Sequence, residues 1–506
     1  MPEQDPAARF PIRLGDAKTF TLVRELFRAT AFDEPTLGHV LQLTDMSALG
    51  RVRWEEIKLE NLSAPLRWCL NLFVRGLSSP EKESRAVCGD EILAAFLALG
   101  LLRPRKGGPG ALVCPVWLYP VDGFLVASDR TSDPDGGEFK PAEDVVFPAI
   151  YGGTLRFLKL LPEMNGGEAL DLCGGTGIGA LRLARTAKAA ATADLAERSA
   201  FFAEFNAALN GVAMESLCGD VYAPAAGRQF DVIAAHPPFV PATGPNMVYR
   251  DGGATGEEVT RRVIEGLPAH LRPGGTCVIL CVARDTQEQT FEQRAHDWLG
   301  PAAGEFDVIF GLEKILSVGE VVESLRARGQ NLSDEAAKSL LVRLQSLGTR
   351  QFVYGALVIR RDVGAISPKP YRIGLTPNGR AADFERLFAW RRQQRQPGFA
   401  EWLHDCRPHF APRLQLTARH VVQDGELVPA EFVFSIEAGL EAALRPDAWV
   451  VPLVARFNGA RSVREVFHAA QKADELPAGF RLEDFAGLVN GMIGRGFLEV
   501  ELPLVK

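Results

Sequence analysis

The sequence predicts an α/β fold: a parallel, doubly wound sheet flanked by mainly helical, winged-helix-like N- and C-terminal domains. Three observations predict it. Glu168-Ala-Leu-Asp171-Leu-Cys-Gly-Gly-Thr-Gly177-Ile-Gly-Ala-Leu-Arg-Leu-Ala-Arg185 reads as strand, tight glycine turn and helix. From about residue 145 strand-like and helical periodicities alternate, the pattern of right-handed crossovers in a parallel sheet. On either side the periodicity is mainly helical.

Taken in order, residues 15–105 carry apolar residues at three- and four-residue steps in Thr21-Leu-Val-Arg-Glu-Leu-Phe27 and in Ala64–Val74. A further helix, Asp90–Gly100, stops at its glycine. The turn-rich Arg103-Pro-Arg-Lys-Gly-Gly-Pro-Gly110 and two strand-like runs, Ala111–Tyr119 and Gly123–Ser128, complete a helices-plus-hairpin module over 1–144. The central domain, 145–365, has strands at 168–172, 189–194, 214–218, 230–235, 276–283 and 352–360. Helices at 177–186 and 196–209 lie between the first of these, and a polar helical insert at 319–347 precedes the last. The third domain, 366–506, opens on the amphipathic helix Phe384–Arg395 and closes on helices and the strand Phe497–Glu501.

Composition narrows the function classes. The chain has 506 residues, 47% hydrophobic and 24% charged, as soluble globular proteins do. Its net charge of −7 supplies no global attraction to phosphate backbones. No apolar run is long enough to cross a membrane, and Met1-Pro-Glu-Gln-Asp-Pro6 has no leader character. The eight cysteines are scattered without a C-x-x-C pair, which predicts a reducing cytoplasm and no disulfide frame. The eight histidines show no metal-ligand spacing, so no metal is expected.

The glycine turn is a nucleoside-cofactor seat. Gly175-Thr-Gly177-Ile-Gly-Ala180 satisfies G-x-G-x-x-A, and Asp194 ends the following strand, so a nicotinamide dinucleotide is one reading. Asp171 argues against it. A dinucleotide sets its diphosphate at the helix N-terminus, and a carboxylate at the start of the turn would repel that charge. S-adenosylmethionine carries a sulfonium and an ammonium, and no phosphate. Asp194 suits ribose hydroxyls in either case, and Asp220, in Cys218-Gly-Asp220, is placed to accept from an adenine amino group. Asp231, at a strand's start, reads as structural.

After the fourth strand comes His236-Pro-Pro-Phe239. Two prolines remove N–H donors and leave the preceding carbonyls free to accept from a ligand. Phe239 is a stacking platform or a core side chain. Tyr249-Arg250-Asp251, in a Gly-rich segment, is a substrate lid or a solvated loop.

With Asp171-Leu-Cys-Gly-Gly-Thr-Gly177, Asp194, Asn206-Ala-Ala-Leu-Asn-Gly211, Asp220 and Pro237-Pro-Phe239, the chain resembles class I S-adenosylmethionine-dependent methyltransferases of the small methyltransferase domain group. That group includes release-factor glutamine methyltransferases and rRNA and tRNA base methyltransferases. The resemblance covers about 145–362 and implies a Rossmann-like sheet bracketed by winged-helix-like segments. It implies that Asp171, Cys173, Gly175, Gly177, Asp194 and Asp220 hold the cofactor. By the same resemblance His236, Pro237 and Phe239 form the catalytic motif, with Tyr249 and Arg250 joining His236 and Phe239 around the acceptor. Two positions depart from the pattern. Cys173 replaces a usual glycine and reads as a tolerated small residue. His236 stands where the group has Asn, Asp or Ser. An imidazole accepts one hydrogen bond and can take a proton near pH 7, which points to a general base acting on a nitrogen or oxygen acceptor. A small metabolite or a peptide is the expected substrate, ahead of RNA or a protein glutamine.

Overall fold

The computed structural model describes residues 10–139, 141–242, 250–327, 333–362, 369–412, 414–436 and 439–502. An N-terminal hairpin pairs β1 (Trp117–Val121) with β2 (Phe124–Ser128). The strands of the central sheet follow: β3 (Glu168–Leu172), β4 (Ala189–Asp194), β5 (Glu215–Cys218), β6 (Phe230–Ala235), β7 (Leu271–Thr286), β8 (Phe306–Leu316), β9 (Thr349–Arg361), β10 (Tyr371–Leu375), β11 (Leu414–Gln423), β12 (Glu426–Ile436) and β13 (Leu440–Leu444). Their spatial order is β11-β12-β13-β10-β8-β9-β7-β6-β3-β4-β5.

Strands β5, β4, β3, β6 and β7 are parallel, and the order turns back between β3 and β6. This half is the doubly wound sheet the sequence predicts, and β3 and β6 flank its switch point, where such sheets bind ligands. The other half corrects the prediction of an all-parallel sheet. Strand β9 lies antiparallel to both β7 and β8. Strand β8, over 306–316, is absent from the sequence reading. The cause lies in the insert between β8 and β9, helices α6 (Val318–Ala327) and α7 (Asp334–Ser346). Their apolar faces pack on one another and on Phe352 near the start of β9. They stay at one end of the sheet instead of crossing its face, so the chain returns antiparallel.

The sheet also runs past residue 365, through β10 to β13. Strands β11 and β12 form a long hairpin whose outer residues are exposed. Asp424 and Gly425, with φ 52° and 84°, make the two-residue turn that left-handed Asp-Gly pairs favour.

The remaining helices that position the site are α1 (Ala17–Ala29), α2 (Gly152–Leu160), α3 (Ile178–Leu183), α4 (Glu197–Asn210) and α5 (Glu258–His270). Helix α8 (Ala381–Gln394), with α9 (Val463–Lys472) and α10 (Leu482–Gly494), belongs to a separate C-terminal core around Trp390, Phe457 and Phe485. The N-terminal core is an aromatic cluster of Phe27, Phe32, Trp68, Phe73 and Phe96. A three-stranded sheet of 79–80, 111–113 and 103–104 lies in the same region. At the far end, 498–499 pairs with 409–410.

Helix α4 ties the N-terminal part to the glycine turn. Asp16 caps α1, accepting from Thr19 N at 2.8 Å. Arg24 of α1 donates to the carbonyl of Ala208 at 2.9 Å, near the C-terminus of α4. Asn210 Nδ2 donates to Leu125 O, while Asn206 Oδ1 accepts from Ala127 N at 2.8 Å. Asn206 Nδ2 donates to Ala127 O and to Thr176 O, both at 3.0 Å. One fully buried amide therefore joins β2 to the glycine turn. Asn206→Ala strips three backbone groups of their partner and is expected to cost about 2–4 kcal/mol, read as a fall in Tm of several degrees.

Among the described residues no helix is long and apolar enough to cross a membrane.

Candidate active site

The carboxyl ends of β3 to β6 open on a crevice of about 1070 Å³, large enough for a cofactor together with a second molecule. Asp171, Cys173, Gly175, Asp194, Asp220, His236, Pro237, Phe239 and Arg250 all line it. Sequence positions spread over 80 residues thus meet in one cavity. Gly177 does not line it: it starts α3 with φ 77° and packs against Ala203 of α4. Tyr249 lies outside the described residues.

The glycine turn is built by close approach. A Cβ on Gly174 would stand 1.8 Å from Thr192 Oγ1, and one on Gly179 2.6 Å from Asp171 Oδ2. Only glycine lets α3 come down onto the Asp171 carboxylate, which accepts from Ala180 N at 3.1 Å. Cys173 occupies the left-handed region, φ 58°, where its usual glycine would be unstrained. Burial, then the neighbouring Asp194, Asp171 and Asp220, push its thiol well above the ordinary value, so it stays protonated and inert at neutral pH.

The acids define the electrostatics. Asp171 is 2% exposed, and burial, with a further push from Asp194, raises its carboxyl to about 7 despite the Ala180 bond. Asp194 accepts from Gly175 N and Ala196 N, both at 2.9 Å, yet burial holds it above the usual carboxylate range. Among the described residues neither acid has an ion pair. Two raised acids sharing a wall fit a cation and oppose a diphosphate. Asp220 differs: its Oδ2 accepts from Arg262 Nη2 at 2.7 Å, a partner the sequence reading does not foresee. Asp231 accepts from Glu168 N and pairs with Arg272, away from the crevice, in the structural role expected of it.

His236 lies between two rings, Phe157 at 5.5 Å and Phe239 at 6.0 Å between centroids. Phe239 is thus part of a stacked wall. A Cβ on Gly153 would meet the imidazole edge at 3.4 Å, so the bare backbone of α2 leaves that edge accessible. Burial pushes the His236 imidazole down to about 4. Desolvation penalises the imidazolium and so disfavours the expected uptake of a proton near pH 7. Among the described residues neither ring nitrogen has a hydrogen-bond partner.

The described part of the predicted lid is pinned. Val240 N donates to Arg250 O, Gly252 N to Val240 O and Ala242 N to Gly253 O, at 2.8–3.0 Å. Arg250 is turned onto Asp251 at 2.8 Å. Just beyond, Glu257 is buried and accepts from Arg284 and Arg294, which anchors α5 to β7.

Sequence reading missed the aromatic wall. Phe147 and Tyr151 stack at 4.6 Å at the mouth, while Phe157 and Tyr354 line the interior. Phe147 and Tyr151 come from a loop, and no periodicity marks them. Among the described residues no cluster of three or more His, Cys, Asp or Glu side chains is arranged to hold a metal.

The model of the family "Methyltransferase small domain" matches residues 149–298, the segment that carries the crevice. This stretch is a class I, S-adenosylmethionine-dependent methyltransferase small domain. Its cofactor is S-adenosylmethionine, and the paired acids and glycine turn fit that cation.

The chain is similar to the ribosomal protein uL3 glutamine methyltransferase of Bradyrhizobium diazoefficiens, 30% identical over 18% of this chain and 32% of that protein. It is similar to the release factor glutamine methyltransferase of Xylella fastidiosa, 32% identical over 24% of this chain and 49% of that one. The chain thus spans a third to a half of these curated relatives. Among solved structures, the T. thermophilus 16S rRNA N2 G1207 methyltransferase in complex with AdoMet and guanosine covers 60% of this chain and 71% of its own. It does so at 16% identity and a TM-score of 0.27.

Proposed function

We propose that the protein methylates a nitrogen, or an oxygen, of a small metabolite or peptide, working in the cytoplasm. The observation that carries this reading is a crevice lined by the buried Asp171 and the half-buried Asp194, neither with an ion pair among the described residues, and ending on His236 between Phe157 and Phe239. S-adenosylmethionine supplies an activated methyl group, so the protein's task is alignment and exclusion of water. Asp171 and Asp194 line the cationic and ribose parts of the seat, and Asp220 the adenine part, over the turn at Cys173, Gly175 and Gly177. His236 accepts a hydrogen bond from the acceptor's N–H or O–H. Pro237 holds the backbone, and Phe239 with Phe157 keeps the ring in place. Arg250 belongs to the acceptor side. With its imidazole near 4, His236 orients the acceptor and leaves the released proton to solvent.

The aromatic wall and the net charge of −7 favour a compact acceptor over a polyanion. We assign the flanking parts that the sequence reading expects to be winged-helix-like, 1–144 and 366–506, to acceptor capture around the catalytic domain, 145–365, whose sheet continues through β10 to β13. Similarity to two glutamine methyltransferases favours a second reading, protein glutamine N-methylation.

Thermal shift tests the seat: S-adenosylhomocysteine is expected to raise Tm, and NAD(H) to leave it unchanged. Radiolabelled methyl donor added to size-fractionated extract tests the acceptor. Label in small-molecule or peptide fractions, lost with His236→Ala, supports the first reading. Protease-sensitive label in a large protein favours the second, and nuclease-sensitive label would point to RNA.

A further inference from the structure

Asp220 stands one residue beyond the Gly219 turn, whose N–H binds Asp194 O at 2.9 Å, so the two acids sit side by side on the crevice wall. Across from Asp220, Arg262 on α5 donates to Oδ2 at 2.7 Å. Asp220 Oδ1 has no donor among the described residues. The pair is held on a stiff frame. Tyr222 OH donates to Val263 O at 2.8 Å, and the Tyr222 ring lies flat on His270 at 4.3 Å. The chain immediately after each partner is thereby fastened to the other's element. Both side chains are 49% exposed, a setting in which an ion pair contributes little to stability. Fold stability therefore does not account for so fixed a placement.

We propose that Arg262 is a positioning residue that aims Asp220 at the amino edge of the cofactor's adenine, so that the pair selects adenine over hypoxanthine. The inference rests on the cofactor seat described above. An adenine laid against Asp220 strips water from the carboxylate. Arg262 fixes Oδ2, leaving Oδ1 to accept from the exocyclic N–H. A hypoxanthine carbonyl would put oxygen against oxygen. In a half-exposed site that mismatch is expected to cost about tenfold in affinity, well short of the discrimination of a buried site.

The test is calorimetric titration of S-adenosylhomocysteine and of S-inosylhomocysteine, which has a C6 carbonyl and an N1–H where adenine has the amino group and a bare N1. Wild type is expected to prefer the adenosyl compound about tenfold. Arg262→Met is expected to cut that preference at least threefold, with inosyl affinity unchanged and Tm within a degree or so of wild type. Arg262→Lys should restore part of it, and Asp220→Ala should remove it. A full preference retained by Arg262→Met overturns the proposal. No binding of S-adenosylhomocysteine by wild type would instead remove the cofactor reading, and this proposal with it.

Discussion

Asp171→Asn is expected to weaken S-adenosylhomocysteine binding about a hundredfold or more while stabilising the free protein at pH 8. Both effects follow from one buried carboxyl. Its ordinary value is 3.8, and in the folded protein burial lifts it to about 7. Between these values the folded state keeps a proton that the unfolded chain has released. Stability from this group is therefore complete below about pH 4 and is lost as pH rises toward 7. Asparagine never carries the buried charge, so the variant should melt a few degrees higher at pH 8 and show little difference at pH 4.

Binding has the opposite slope. The cationic ligand favours the ionised carboxyl, so wild-type affinity should rise with pH by up to about tenfold per unit below 7 and then level off, with a proton released on binding. Asp194, raised in the same sense, steepens that rise. Calorimetry in two buffers of different ionisation enthalpy counts the released proton, and Asp171→Asn should reduce it. Wild-type affinity that stays flat from pH 5.5 to 8.5 would mean that the carboxyl does not face the cation.

His236→Ala is expected to cut kcat by about a hundredfold or more, with S-adenosylhomocysteine affinity within twofold of wild type. The acceptor would lose the imidazole as a hydrogen-bond acceptor, together with the ring packed between Phe157 and Phe239. His236→Asn restores an acceptor atom of similar reach and should recover part of the rate. Because burial lowers the imidazole to about 4, kcat should show no inflection near 6.5, and its His236-dependent limb should fall only as pH approaches 4. The same shift makes the unfolded chain bind a proton below 6.5 that the folded state refuses, so His236 costs stability as pH drops from 6.5 toward 4. An inflection near 6.5 that vanishes in His236→Asn would show instead that the imidazole takes up a proton during turnover.

Much of the site was legible because it is local. Strand β3, the glycine turn and α3 are contiguous, Asp194 ends a strand whose period is visible, and Asp220 and His236 each follow one. The turn Asp424-Gly425 carried an equally local hairpin signal, with apolar residues on both sides in Val421-Val422 and Leu427-Val428, and sequence reading could have found it. Strand β8, Phe-Asp-Val-Ile-Phe-Gly-Leu, is as apolar as its neighbours, but nothing local states that β9 returns antiparallel to it. That depends on where α6 and α7 find a surface to cover.

By itself the sequence determined the parallel half of the sheet, the acid-flanked glycine turn and the histidine before Pro237, because each is encoded in the conformational preferences of adjacent residues. Only the tertiary structure decided that burial lowers the His236 imidazole and raises the Asp171 carboxyl, and that Arg262 claims one oxygen of Asp220. Those properties come from desolvation and from contacts between distant segments, and neither exists until the chain has packed.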